Sequence, residues 1–530
     1  MKTHSFKLSA IASVAILAAC GGGSGSSDPA AAEPAATPPV AVTPTPIPTP
    51  TPTPPAPISV LPSTEPALQA ATAFLAKADA LQATSTPTPG AAAAAVLDAC
   101  FVGNGFSRDF IVAEFDADPF AVASRQVSVG VTRSNVTVMA ERSITNVDGS
   151  ARREIDLKYD SIFKDGSKRT ATADAEPTET IISGSSSGAK LPDGSNCTSS
   201  ENKSDWRFYG NRKVINANVA AHNERIERTT LATGLPVAPA VIYSKYIRFN
   251  MSDPANVAKY ATISGPGIVG GSPLAPIALK LVSVRLLRDA PEFAGKNGNF
   301  VDWKDTDPWR VCRTTTGNYA TADTADCVAN GATGQNWGAL GGAVPATVDS
   351  NFDGLGIVAG GAYTVTVYND DGWKTVNGQL GKTPIAAYTA VLNSLPFSAA
   401  TLAGTGVATD LFPKVVTNSM TPAQISAAVR AKAPFSMDLS WTQPGAMPDG
   451  KALGWGGLFS FKQGRVDAAQ TAFNPASRQF DPTYPLANVT SATLPIPAAV
   501  AKLGQPTYMQ YWLSVNNRNG NVVESLYSFQ

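Results

Sequence analysis

The chain has 530 residues, with Lys+Arg and Asp+Glu both at 41, so its formal charge is zero. That balance, without a basic run, excludes electrostatic capture of nucleic acid or of an anionic membrane surface as an organising role. Only two histidines occur, His4 and His222, which leaves little imidazole for acid–base or metal chemistry near neutral pH.

Lys2 and Lys7 precede an apolar run, Leu8 to Ala19. The run is too short to span a bilayer, which takes roughly 20 apolar residues, and it has the length of a signal-peptide core. Leu17-Ala18-Ala19-Cys20 follows at the cleavage position, then Gly21-Gly22-Gly23-Ser24. This resembles the bacterial lipobox. The resemblance implies that residues 1–19 are removed and that Cys20 is acylated, making the lipid bilayer a partner. Gly21, where a retained lipoprotein carries aspartate, implies the outer membrane, with the face left open. Residues 20–63 form a Gly/Ser and then Pro/Thr-rich linker that includes Thr43-Pro44-Thr45-Pro46-Ile47-Pro48. Proline removes backbone donors and fixes φ, so this stretch is an extended spacer. About 35 such residues reach on the order of 100 Å.

The predicted fold is multidomain: an α+β N-terminal domain, helices then antiparallel sheet, followed by two all-β sandwich domains. Residues 64–234 form the first. Leu68, Ala71, Phe74, Leu75, Ala78 and Leu81 recur at helical spacing, and a second Ala-rich helix runs from about Ala91 to Cys100. The period then changes to two, over Gln126–Ala140, Arg153–Phe163 and Arg169–Glu176. A strand from Trp206 is expected to continue to about Glu227. Helices followed by such strands, with Trp206-Arg207-Phe208-Tyr209-Gly210-Asn211 near the end, resemble the nuclear transport factor 2-like cone fold over Pro66–Thr230. That fold hosts many functions and implies none by itself.

Residues 235–383 and 384–530 are the two predicted sandwiches, with helical periodicity nearly absent. Each is expected to end in a hairpin. Tyr363–Tyr368 leads through Asn369-Asp370-Asp371-Gly372 to Trp373–Val376, and Tyr508–Val515 leads through an Asn/Gly turn to Val522–Tyr527. Tyr-rich strands opening terminal hairpins resemble immunoglobulin-like or fibronectin type III-like modules, although no Cys…Trp…Cys signature accompanies them.

With Cys20 assigned to lipid, Cys100, Cys197, Cys312 and Cys327 remain. An even number in an exported chain reads as two disulfides. Three pairings exist; Cys100–Cys197 with Cys312–Cys327 keeps each bridge inside one predicted domain.

No catalytic constellation is visible. His222 stands in a predicted strand beside Asn223, Glu224 and Arg225 and is expected to be solvated there. No Gly-x-Ser-x-Gly elbow or Walker A loop occurs. The Asp302, Asp305 and Asp307 set lacks calcium-loop spacing and reads as an acidic turn. No cofactor or metal is expected. Trp303, Trp309 and Trp337 in the long 291–344 segment are candidate ligand-binding residues, since indole faces stack on sugars or fill protein pockets. The alternative is a small core beneath that loop. The expected role is binding or structural, not enzymatic, with an envelope protein or glycan as partner. The alternatives are an envelope hydrolase using paired carboxylates, or small-ligand binding in the N-terminal domain.

Overall fold

The computed structural model describes residues 60–83, 89–117, 131–162, 168–171, 177–268, 278–283, 285, 309–314, 336–369, 384–404, 410–449, 455–466, 473–480, 490–496, 508–517 and 520–530. The leader, Cys20, the Pro/Thr segment, the Asp302–Asp307 set, Trp303, Cys327 and the Asp370-Asp371-Gly372 turn lie outside them.

In chain order the first elements are α1 (Ala67–Ala83), α2 (Pro89–Val96), β1 (Val102–Gly103), β2 (Phe106–Ser107) and α3 (Arg108–Ala117). Then come β3 (Thr132–Thr145), β4 (Ala151–Ile162), β5 (Lys168–Arg169), β6 (Glu179–Ser185) and β7 (Asn202–Phe208). β3, β4, β6 and β7 pair in that order, with β5 attached to β4. The expected order of helices and then antiparallel sheet is present. Ala70, Ala71, Phe74, Leu75 and Ala78 of α1 fall on one helical face and bury against Ile155, Leu157, Tyr159, Ile181 and Phe208 of the sheet. Alternate strand residues meet one helix stripe, which is the physical content of the α+β layout.

β8 (Asn216–Thr229) and β9 (Pro236–Ser252) follow, then β10 (Tyr260–Ser264), β11 (Ala278–Val282), β12 (Arg310–Thr314) and β13 (Asn336–Gly342). Next are α4 (Pro345–Asp353), β14 (Ala362–Tyr368), β15 (Ala386–Val391), α5 (Ala399–Leu402), β16 (Lys414–Asn418), α6 (Pro422–Ala431) and β17 (Phe435–Thr442). β18 (Trp455–Val466), β19 (Phe473–Phe480), β20 (Ser491–Ile496), β21 (Tyr508–Asn516) and β22 (Asn521–Phe529) complete the chain.

One seven-stranded sheet, ordered β13-β9-β8-β22-β21-β18-β19, unites strands from both ends of this region. Its pairs are antiparallel except β22 with β8, which run parallel in register from Asn521↔Ala221 to Phe529↔Thr229. Because side chains alternate, the odd-numbered residues of β8, β9, β21 and β22 share one face. That face carries two large cores and a smaller cluster, in which Val515 and Val523 pack with Leu402, Phe412 and Met447. Val219, Ala221, Ile247 and Phe249 pack with Ile263, Leu279, Leu281, Val365 and Val367 of a five-stranded sheet ordered β12-β11-β10-β14-β15. Tyr511, Leu513, Tyr527 and Phe529 pack with Met437, Leu439, Trp441, Leu494 and Ile496 of a three-stranded sheet, β16-β17-β20, and with Ile425 and Val429 of α6. The seven-stranded sheet is the common floor of both packings.

Several expectations change here. The strand from Trp206 does not run on to Glu227: β7 ends at Phe208 and β8 belongs to another sheet. The break lies at Gly210 (φ +84°), where a Cβ would fall 2.0 Å from the Val102 carbonyl oxygen, and at Arg212 (φ 57°). The position 234/235, drawn as a boundary, falls within the β8–β9 hairpin, and 383/384 falls between β14 and its partner β15. The terminal hairpin is present as β21–β22, Met509↔Phe529 to Asn516↔Val522. α4, α5 and α6 occupy a region expected to be nearly free of helix.

Cys100 and Cys197 are bonded, with Cα atoms 5.8 Å apart. The bridge sits in a small cluster with Ile182, Ala189 and Tyr209 and pins the loop after β6 to the end of the helical layer. Cys312 lies in β12 opposite Lys280, and its expected bond to Cys327 falls outside the described residues. Replacing both Cys100 and Cys197 by Ala is expected to cost about 2–4 kcal/mol. Chemical denaturation of the two forms checks this, with the loss confined to the α+β body.

Candidate functional site

The even-numbered face of the seven-stranded sheet is polar. Register places Asn218 opposite Asn250, His222 opposite Tyr246, and Glu224 beside Glu524. Two-sided burial turns these strand positions inward, where every polar group needs a partner. Tyr246 donates its hydroxyl to Glu224 Oε1. Arg248 donates to Tyr246 Oη at 2.8 Å and to Asn336 Oδ1 at 2.9 Å. The same guanidinium lies 3.7 Å from Glu224 Oε1 and 4.0 Å from Glu524 Oε2. Ser514 donates to Glu524 Oε1 at 2.7 Å. Glu224 and Glu524 are 8% and 7% exposed.

Burial, and then the Glu524 charge, push the Glu224 carboxyl up to about 7. Burial holds the Tyr246 hydroxyl well above its ordinary range. His222 is fully buried and stacked on the Tyr246 ring, with centroids 5.2 Å apart. Among the described residues neither of its nitrogens has a hydrogen-bond partner. Burial, reinforced by Arg248, holds it well below its ordinary value, so the imidazole is neutral. The solvated histidine expected from its polar neighbours is therefore replaced by a core one, because the sheet is covered on both faces.

A second enclosed acid, Glu179, opens β6 within the α+β body. Burial pushes it up to about 8, against the opposing pull of the Thr180 and Gly210 backbone N–H groups and of Arg133. Its Oε1 has no hydrogen-bond partner among the described residues. A carboxyl raised in the folded state favours the protonated form there. Its stabilisation is thus complete below about 4.5 and is lost as pH climbs toward 8. Glu179→Gln is expected to flatten this slope and to gain on the order of 3 kcal/mol over wild type at pH 8.5, read from unfolding at several pH values.

Of the predicted ligand-binding tryptophans, Trp309 and Trp337 are 1% and 4% exposed and belong to the core between the five- and seven-stranded sheets. Trp337 also donates to the Gly267 carbonyl at 3.3 Å. Their faces are taken up by packing, as in the core alternative. The structure does bring other residues together at an open groove of about 620 Å³, formed by Leu61–Glu65, α1 and the end of β7. Buried Phe74 and Trp206 and exposed Lys77 and Asp205 are among the residues that line it. Trp206 donates its indole N–H to Glu65 at 2.9 Å, tying the entering chain to the sheet. Sequence periodicity identified Phe74 as a core position but carried no signal for this juxtaposition.

Among the described residues no group of three or more His, Cys, Asp or Glu is placed to hold a metal ion. Among them also, no helix is long and apolar enough to cross a membrane. No protein-family model matches the chain, and no curated protein matches it. One solved structure, titled as the tetra-tandem repeat in the extending region of a large adhesion protein, aligns over 76% of this chain and 75% of its own at 10% identity. Its TM-score is 0.13, at which the likeness carries no argument. The chain is thus a mostly β protein of several separate sheets with a few helices.

Proposed function

We propose that this chain is a lipid-anchored protein of the bacterial outer membrane with a binding or structural role in the cell envelope. The Leu-Ala-Ala-Cys20 motif and the proline spacer support anchoring, and the Cys100–Cys197 bond suits an oxidising compartment. The observation that carries the non-enzymatic reading is the position of His222. The one histidine beyond the leader is enclosed and neutral, so a substrate has no imidazole to meet. Envelope protein or glycan is the partner class, and the groove at Leu61–Trp206 is the first surface to probe.

Metabolic labelling with a radioactive fatty acid tests the anchor. Label is expected on the wild type and not on Cys20→Ala, which should move from the membrane to the soluble fraction. Label-free wild type sinks the anchoring. Binding is tested with purified mature protein against envelope glycans and outer-membrane extracts, with Ala73→Arg narrowing the groove. Capture unchanged by that substitution removes the groove from the reading.

A further inference from the structure

The parallel joint between β8 and β22 places two acids side by side. Glu224 and Glu524 are register partners on neighbouring strands, one near the middle of the chain and one in its C-terminal strand. Among the described residues, the polar groups around them include Ser244, directly opposite Glu224 on β9, together with His222 of β8, Tyr246 and Arg248 of β9, Asn336 of β13 and Ser514 of β21. Tyr246 and Ser514 each satisfy one carboxyl oxygen but bring no charge. Arg248 is the cation within 4.0 Å of both acids. One guanidinium, itself shared with Tyr246 and Asn336, cannot neutralise two carboxylates in a nearly dry seam. Like charges directly across adjacent strands push the strands apart.

We propose that the β8–β22 seam is a proton-controlled latch, closed when the Glu224 carboxyl carries a hydrogen and loosened when Glu224 and Glu524 are both ionised. In the closed form the neutral acid sits beside Glu524 while Arg248 faces a single negative charge. On loosening, the proton leaves to water and the exposed carboxylates are hydrated. The latch joins the C-terminal strand to the sheet that floors both cores. Its opening is therefore a local event with consequences for both packings. This inference goes beyond the envelope role and does not depend on it.

The sign follows from the two states. Glu224 stands at about 7 in the closed seam and returns to the ordinary carboxyl range when exposed. Its contribution is full below about 4.5 and is lost as pH rises through about 7. His222 works the other way: it is held neutral when buried, so closure is disfavoured below about 6.5. A comparison of variant with wild type cancels His222 and leaves the latch.

The test is hydrogen exchange of the β22 amides in the full mature chain at pH 5, 6, 7 and 8, in wild type and Glu224→Gln. Glutamine still accepts from Tyr246 and carries no charge. The ratio of variant to wild-type protection is expected to rise on the order of fiftyfold from pH 5 to pH 8. Glu524→Gln should raise it in the same direction by less, and Glu179→Gln should leave the β22 ratio flat. A ratio flat with pH in both seam variants overturns the proposal, as does a Glu224→Gln protein less protected than wild type at pH 8.

Discussion

A chain ending at Gly520 is expected to lose cooperative folding from β8 onward, not merely its last hairpin. β22 lies between β8 and β21, and its removal opens the middle of the seven-stranded sheet. Ala221 to Thr229 of β8 lose nine register partners, and Met509 to Asn516 of β21 lose eight. The loss reaches both packings, because Tyr527 and Phe529 belong to one and the floor of the other ends at β8. Buried backbone N–H and C=O groups left unpaired each cost about 1–3 kcal/mol, so the sum exceeds the whole stability of an ordinary domain. Limited proteolysis followed by mass spectrometry checks this. The truncated chain should yield a resistant fragment covering the α+β body, roughly residues 60–211, with the remainder degraded. Survival of residues 216–391 as a resistant unit would show that the first packing stands without β22.

The second large effect is expected at Asp98. This residue and Arg207 are 0% and 4% exposed, and Arg207 Nε donates to Asp98 Oδ2 at 2.9 Å. Asp98 Oδ1 also accepts the Cys100 backbone N–H at 2.8 Å. Arg207 is further fixed by the Lys203, Asp205 and Gly184 carbonyls, so it cannot swing to solvent without breaking all three bonds. Asp98→Ala leaves a buried guanidinium whose nearest remaining acid is Glu201, at 3.4 Å. Breaking a buried pair from one side costs about 3–5 kcal/mol. Asp98→Asn keeps the shape and one acceptor and should cost less. Denaturant midpoints for the three proteins should fall in the order wild type, Asn, Ala. Equal midpoints for wild type and Ala would mean that the pair contributes nothing to the α+β body.

Local pattern carried the N-terminal layout. The 3.6-residue spacing of Leu68 to Leu81 became α1, and alternation around Ile155, Leu157 and Tyr159 became β4 facing that helix. The Asn/Gly turn before Val522 correctly joined β21 to β22. Those signals act within about twenty residues. The β8–β22 pairing joins residues three hundred positions apart, and alternation tells which face a residue takes, never which strand lies beside it. His222 illustrates the cost. Its polar neighbours suggested a wet face, whereas coverage of the sheet on both sides put the same residues indoors. α6 was legible and missed. Thr421-Pro422-Ala423-Gln424 is a capping box with proline at the first turn, and both reciprocal bonds are present, at 3.3 Å and 2.8 Å. The acids at 224 and 524 are ordinary in sequence and become a site only through register.

The shared seven-stranded sheet is tested most directly by cysteine trapping across its parallel joint. Arg228 and Ser528 are register partners between β8 and β22. Gln510 and Ser528 are partners within the hairpin and serve as the control. Mild oxidation of Arg228→Cys/Ser528→Cys should give a linked peptide within a single molecule, as abundant as that from Gln510→Cys/Ser528→Cys. A linked peptide in the hairpin control and none across the joint would contradict the account, returning the C-terminal strands to a module separate from β8.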